Sequence, residues 1–263
     1  MHLHHLRLGT GPTLVLIHGL GSHLHAWDPV LARLARERDV IALDLPGFGA
    51  SPPLPAGQTP SAAALAVAVA EFLDEVGVER PHLAGNSLGG WVALELARRG
   101  RAASLTLASP GGFWTEGERR FATGSLRATR WLSQLLAPVV PLVLGSALGR
   151  RLFLGQIFAH PERIPAAAAI ADARAFAQAP GFDATFATAA RPGARFRGSA
   201  EVTCPVTIAW GDHDLLLLPR QARRAAAQLA GARLVTLAGC GHTPMWDDPE
   251  QVARVLLEGS AGG

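Results

Sequence analysis

The chain has 263 residues, 49% of them hydrophobic, enough for one large domain or for one domain carrying an insertion. All 24 basic residues are arginine, lysine and tyrosine are absent, and the net charge is only +3, with no run of five like charges and no basic stripe interleaved with aromatics, which speaks against nucleic-acid binding. Two cysteines exclude a disulfide scaffold.

Met1 to His5 lacks a charged region followed by an apolar one, so no secretory leader is expected and a cytoplasmic setting is the default. Leu3, Leu6 and Leu8 alternate with His and Arg as in an edge hairpin strand, turned at Gly9 to Pro12, with Thr13 to Ile17 as a buried strand. Trp27, Val30, Leu31 and Leu34 have helical spacing. Val40 to Leu43 is a strand, followed by the loop Asp44-Leu45-Pro46-Gly47-Phe48-Gly49. Ser61 to Val76 is a helix with Ser61 placed to cap it. Pro81 to Ala84 is a short strand, Trp91 to Arg99 a helix and Ala103 to Ala108 another strand.

The alternation then stops. Residues 109–200 are rich in Pro, Gly, Arg and Ala, with helical pieces and no clear buried strand. The rhythm resumes with the strands Pro205 to Trp210 and Arg233 to Leu237 and the helices Arg220 to Leu229 and Pro249 to Glu258. This is an α/β chain, with a mostly parallel sheet flanked by helices. Residues 1–108 and 201–263 form the core, and 109–200 a helical cap over the strand ends. Within the cap, Trp131 to Gly149 is nineteen residues long and uncharged, long enough to raise a membrane span. Pro138 and Pro141 divide it, and two short apolar helices covering a pocket are expected instead.

In an open parallel sheet, ligands bind beyond the carboxyl ends of the strands. Four loops leave those ends, beginning at His18, Gly85, Gly211 and Gly239. The second reads Gly85-Asn86-Ser87-Leu88-Gly89, a Gly-x-Ser-x-Gly pattern between a strand and a helix. Small residues two positions either side of a serine allow a sharp turn that lifts one hydroxyl above the sheet.

Five segments in register resemble the α/β-hydrolase superfamily, in the manner of a serine-nucleophile esterase or carbon–carbon bond hydrolase with a helical cap. They are His18-Gly19-Leu20-Gly21, Asp44 to Gly49, Gly85-Asn86-Ser87-Leu88-Gly89-Gly90, Gly211-Asp212-His213-Asp214 and Gly239-Cys240-Gly241-His242-Thr243-Pro244. The resemblance implies Ser87 as nucleophile, His242 as base and Asp214 as the acid that orients it, in the chain order Ser, Asp, His. Asp212 competes with Asp214 but suits a turn cap better. The backbone N–H groups of Leu20 and Leu88 are the expected oxyanion donors, and His18 is expected to bond within its own loop.

The implied activity is cleavage of an ester-type acyl bond in a largely apolar small molecule through an acyl-enzyme, without metal or organic cofactor. Carbon–carbon hydrolysis of ring-cleavage products is the runner-up. Relatives of that type typically carry Trp after the histidine, where this chain has Thr243. Lactonase or haloperoxidase-like activity uses the same triad, and a non-catalytic ligand receptor is the reading from another class. Relatives that open epoxides use an Asp nucleophile, against which Ser87 stands. Trp114, Phe121, Trp131, Leu132, Leu135, Leu136, Phe153, Phe158 and Phe176 suggest an apolar chamber within the cap, though for each a purely structural role is the stronger reading. His2, His4 and His5 lack ligand partners at metal spacing, and His23 and His25 read as surface residues ahead of pocket-entrance ones. Cys204 and Cys240 fall at opposite ends of neighbouring strands, too far apart to pair. Nothing in the sequence sets an oligomeric state.

Overall fold

Strands β1 (His5–Leu8), β2 (Thr13–Ile17), β3 (Asp39–Leu43), β4 (His82–Asn86), β5 (Ser104–Ala108), β6 (Val206–Gly211) and β7 (Arg233–Leu237) make one seven-stranded sheet in the computed structural model, which describes residues 1–261. Their order is β1-β3-β2-β4-β5-β6-β7, and every neighbouring pair is parallel except β1 with β3. The central strands β4, β5 and β6 are buried from end to end because both faces are covered. In β2, Val15 and Ile17 face the side of the sheet covered by α2 (Ala62–Glu75), α3 (Leu88–Ala97) and α9 (Arg220–Gln228). Leu14 and Leu16 face the other way, under α1 (Asp28–Leu34) and α10 (Pro249–Gly259). Ser61 caps α2 as expected, its hydroxyl accepting the Ala64 amide at 3.2 Å.

The hairpin expected at the start does not form. β1 pairs antiparallel with β3, from His5 opposite Leu43 to Leu8 opposite Val40. The turn after β1 lies against the chain entering β3. A Cβ at Gly9 would lie 2.2 Å from the Arg38 carbonyl oxygen, and the Asp39 amide donates to Pro12 at 3.2 Å. The chain entering β3 therefore runs under this turn, and β3 occupies the place between β1 and β2.

Between β5 and β6 lie α4 (Glu116–Leu135), α5 (Val140–Gly145), α6 (Ala147–Leu154), α7 (Ala166–Gln178) and α8 (Phe182–Ala189). Thr115 and Glu118 form a capping box at the start of α4. Glu118 also accepts from Arg220 Nε at 2.6 Å and Arg224 Nη1 at 2.9 Å, which ties α4 to α9. Val140, Leu144, Phe158, Ile164, Ala169 and Ala173 give this segment an apolar cluster of its own. Trp131 to Leu135 belongs to the end of α4, and Pro141 sits in the first turn of α5, so the expected division of the apolar stretch falls at Pro138. No helix among the described residues is long and apolar enough to cross a membrane.

Candidate active site

Ser87 stands at the junction of β4 and α3 with φ 54° and ψ −115°, a left-handed-side conformation that a β-substituted residue adopts only under constraint. Three backbone bonds impose it. Its amide donates to Ala108 at 3.0 Å, and its carbonyl accepts from Gly111 at 2.9 Å and Trp91 at 3.2 Å. The flanking glycines are sterically required. A Cβ at Gly85 would lie 2.3 Å from the Gly89 carbonyl oxygen, and one at Gly89 would lie 2.1 Å from that of Ile17. Leu88 is the first residue of α3, so its N–H lies among the helix-start donors that have no intrahelical acceptor.

Asp214 and His242 come from the loops after β6 and β7. His242 Nδ1–H donates to Asp214 Oδ2 at 2.8 Å, with both side chains buried. The other carboxylate oxygen accepts the amides of Leu216 at 2.9 Å and Leu217 at 2.8 Å. That fixes the carboxylate, and the carboxylate fixes the tautomer that leaves Nε2 as a lone-pair acceptor. Asn86 Nδ2 donates to the His242 carbonyl at 2.9 Å and to Ala108 at 3.1 Å, tethering the histidine's backbone beside the Ser87 turn. Ser87 Oγ is not hydrogen-bonded to the imidazole among the described residues. The two groups line one cavity, and such bonds often tighten only when substrate is in place. Asp212 takes the loop role instead, accepting the Gly239 amide at 2.8 Å and His213 Nδ1–H at 2.7 Å.

The loop after β2 brings Gly19 beside the serine, where an added Cβ would lie 3.3 Å from Ser87 Cβ. His18 sets the orientation of the Gly19–Leu20 peptide. Its Nε2 accepts the Leu45 amide at 3.0 Å and its Nδ1–H donates to the Gly19 carbonyl at 2.7 Å. The carbonyl and the next N–H point oppositely across a trans peptide, so the Leu20 N–H is directed away from the His18 ring. Leu20 lines the cavity, and its amide has no acceptor among the described residues. Burial drives the His18 pKa down to about 4, against the raising influence of the Gly19 carbonyl and Asp44.

The cavity encloses about 980 Å³ including its open mouth, and lies between these loops and helices α4, α6 and α7. Phe153, Phe158 and Phe176 line it as the expected chamber requires, but Phe121, Trp131, Leu132 and Leu135 point to solvent and Trp114 packs on Trp91. The lining includes Leu126, Thr129, Ser133, Gln156 and Ile157, which composition had not singled out. No arginine among the described residues lines it.

His23 is corrected from surface to cavity wall. Its Nε2 lies 3.0 Å from Asp172 of α7, whereas His25 is exposed beside Asp28. Burial works to lower the His23 pKa, but the Asp172 hydrogen bond and charge, helped by Asp44 and Asp28, raise it on balance.

Asp247 is the main residue that sequence reasoning missed. Its carboxylate accepts the amides of Gly241 at 2.8 Å, Ala159 at 3.1 Å and His160 at 2.7 Å, clamping the chain after α6 onto the histidine loop. Little in the sequence marks it, since it adjoins Asp248, the residue that caps α10. Cys240 and Cys204 are both free, and burial, with the nearby carboxylates of Asp247, Asp248 and Asp212, pushes the Cys240 thiol up to about 12. It is therefore held as an unreactive thiol. No group of three or more His, Cys, Asp or Glu residues among the described ones is arranged to hold a metal.

The model of the alpha/beta hydrolase family matches residues 14–255. The chain is 32% identical over 258 residues to the dihydrolipoyllysine-residue acetyltransferase component of the acetoin cleaving system of Cupriavidus necator, covering 97% of this chain and 65% of that protein, so it spans just under two thirds of that relative's length. It is 32% identical over 209 residues to the epoxide hydrolase EphH of Mycobacterium tuberculosis, covering 74% of this chain and 93% of that one. Among solved structures, a hydrolase from Pseudomonas aeruginosa superposes with a TM-score of 0.78 at 26% identity, covering 99% of this chain and 94% of the other. With the sheet order and the strand–serine–helix turn in place, the chain belongs to the alpha/beta hydrolase family.

Proposed function

We propose that the protein is a serine hydrolase that cleaves an ester-type bond in a neutral, largely apolar small molecule. The observation that carries this is the 2.8 Å bond from His242 Nδ1–H to a doubly amide-anchored Asp214, beside a serine held at φ 54° on the wall of the same cavity. In the proposed cycle Ser87 Oγ attacks the substrate carbonyl carbon as His242 Nε2 takes its proton. The resulting oxyanion accepts the Leu20 and Leu88 amides, and Asp214 balances the imidazolium. The intermediate collapses, His242 gives the proton to the departing alcohol oxygen, and an acyl-serine ester remains. Water, deprotonated by the same imidazole, then releases the acid and restores Ser87. Side chains, two amides and water suffice for every step.

Residues 109–200 act in this reading as a cap, since α4, α6 and α7 supply one side of the cavity. A serine at the nucleophile position weighs against epoxide opening. A cavity wall without arginine weighs against the carboxylate-bearing products of ring cleavage, which need a bidentate cationic partner. A cytoplasmic setting suits two cysteines that remain free.

A panel of p-nitrophenyl esters of increasing acyl length tests the reading. The expected outcome is a burst of nitrophenol followed by steady turnover. The burst is lost in Ser87→Ala, and kcat falls about 10⁴-fold in Asp214→Asn. A burst that persists in Ser87→Ala, or saturable binding of esters and lactones without turnover in the wild type, sinks it.

A further inference from the structure

Eleven large apolar side chains are well exposed among the described residues, and seven of them fall between positions 131 and 152. Trp131, Leu135, Leu142, Leu148 and Leu152 are 64%, 59%, 81%, 67% and 80% exposed. Leucines scattered singly over a surface need no explanation, but a concentration of this kind marks a surface that meets something. Trp131 and Leu135 are one turn apart on α4, as are Leu148 and Leu152 on α6. Other faces of the same helices carry cavity lining, Thr129 and Ser133 on α4 and Phe153 and Leu154 on α6. Gln156, just beyond α6, hydrogen-bonds to Ser125 and Thr129 of α4, and α5 packs on α6, so the three helices are held together.

The stretch that builds this face carries charge of one sign. From Arg119 to Pro161 the sequence has no Asp or Glu. Arg120 pairs with Glu116, Arg130 lies on Asp183 and Phe182, and Arg150 is buried on backbone carbonyls. Arg127 and Arg151 are exposed and have no carboxylate partner among the described residues. We propose that the outer face of α4, α5 and α6 docks on an anionic lipid surface. The leucines and Trp131 would enter the boundary between headgroups and acyl chains, and Arg127 and Arg151 would meet the phosphates.

A second copy of the chain fits this face less well. A two-fold dimer sets one patch against itself, and here that would bring arginines together with no acid from this stretch to pair them. The attachment is to the surface only, since α5 and α6 have six and eight residues and α4, twenty residues long, carries four arginines. It goes beyond the hydrolase reading and does not depend on Ser87.

Flotation with vesicles tests it, comparing equal parts phosphatidylcholine and phosphatidylglycerol with phosphatidylcholine alone, at low and high salt. The protein is expected to float with the mixed vesicles, and several-fold less with the neutral ones or in high salt. A Leu142→Ser, Leu148→Ser, Leu152→Ser variant should bind about ten-fold more weakly with unchanged circular dichroism and melting. Arg127→Gln with Arg151→Gln should lose only the salt-sensitive part. Ser87→Ala should float as the wild type does, which separates this result from any failure of the hydrolase reading. If the leucine variant does not fold, tryptophan emission serves instead. It should shift to the blue on mixed vesicles, and the shift should shrink in Trp131→Phe. Absence of flotation with both vesicle types overturns the proposal. So does a wild type that sediments as a dimer while the leucine variant sediments as a monomer, which would assign the face to a second copy.

Discussion

His18 has one nitrogen that must accept and one that must donate, so the fold holds it neutral. In the unfolded chain the same imidazole takes a proton near pH 6.5, whereas in the fold it does so only near 4. Between those values the unfolded state binds a proton that the folded state refuses, so stability falls as pH falls through that window and levels below it. The full span is worth about 3 kcal/mol. Denaturant unfolding should therefore show His18→Asn less stable than wild type at neutral pH but with a shallower loss on acidification. Parallel curves for the two proteins would remove His18 as the source. Single residues of this kind were legible in the sequence where chemistry or sterics left little choice. Gly85 and Gly89 announce a turn that tolerates no Cβ, and His18 lies inside the loop it braces. Asp247 was not legible, because two of the three amides it accepts lie more than eighty positions upstream.

Elements built on local pattern were readable, and those defined by what they pack against were not. The strands β2 to β6 follow from short, mostly apolar runs buried on both faces, whereas β7 is a largely exposed edge strand. β1 was placed but not its partner, since alternation says that a strand has one wet face and nothing about which neighbour it takes. The aromatic and leucine content of α4 suggested a chamber, but facing depends on rotation about the helix axis. Thr129 and Ser133 turned inward, and Trp131 and Leu135 outward. Asp247 shows how two such elements are coupled. Asn in its place has one carbonyl oxygen for three amide donors and turns an NH₂ group toward them. The expected cost is about 2 kcal/mol. Because one of the amides belongs to Gly241, next to His242, kcat of Asp247→Asn should fall even well below its melting temperature. A variant that melts early but keeps full kcat in the cold would confine Asp247 to stability.

Across the whole molecule, the helices between β5 and β6 are tied to α9 and to the loop after β2 by bonds with different pH ranges. At the start of α4, burial works to raise the Glu118 carboxyl, but the Thr115 amide, Arg220 and Arg224 hold it at about 2. That tie is present above the ordinary carboxylate range and fails only as pH falls toward 2. At the cavity, His23 and Asp172 join the loop that carries Leu20 to α7, and there the sign is opposite. A histidine whose folded pKa is raised contributes in full below its unfolded value near 6.5, and its contribution disappears as pH rises through the raised value. The helical segment should thus stay anchored at α4 while its cavity edge loosens on the alkaline side. Wild type should exceed Asp172→Asn by about 1 kcal/mol at mildly acid pH, with the gap closing as the solution is made alkaline. Protection of the α7 amides from hydrogen exchange, relative to their intrinsic rates at each pH, should fall over the same range in wild type and stay constant in the variant. A gap that widens with alkalinity would mean that Asp172 is held by something other than a protonated His23.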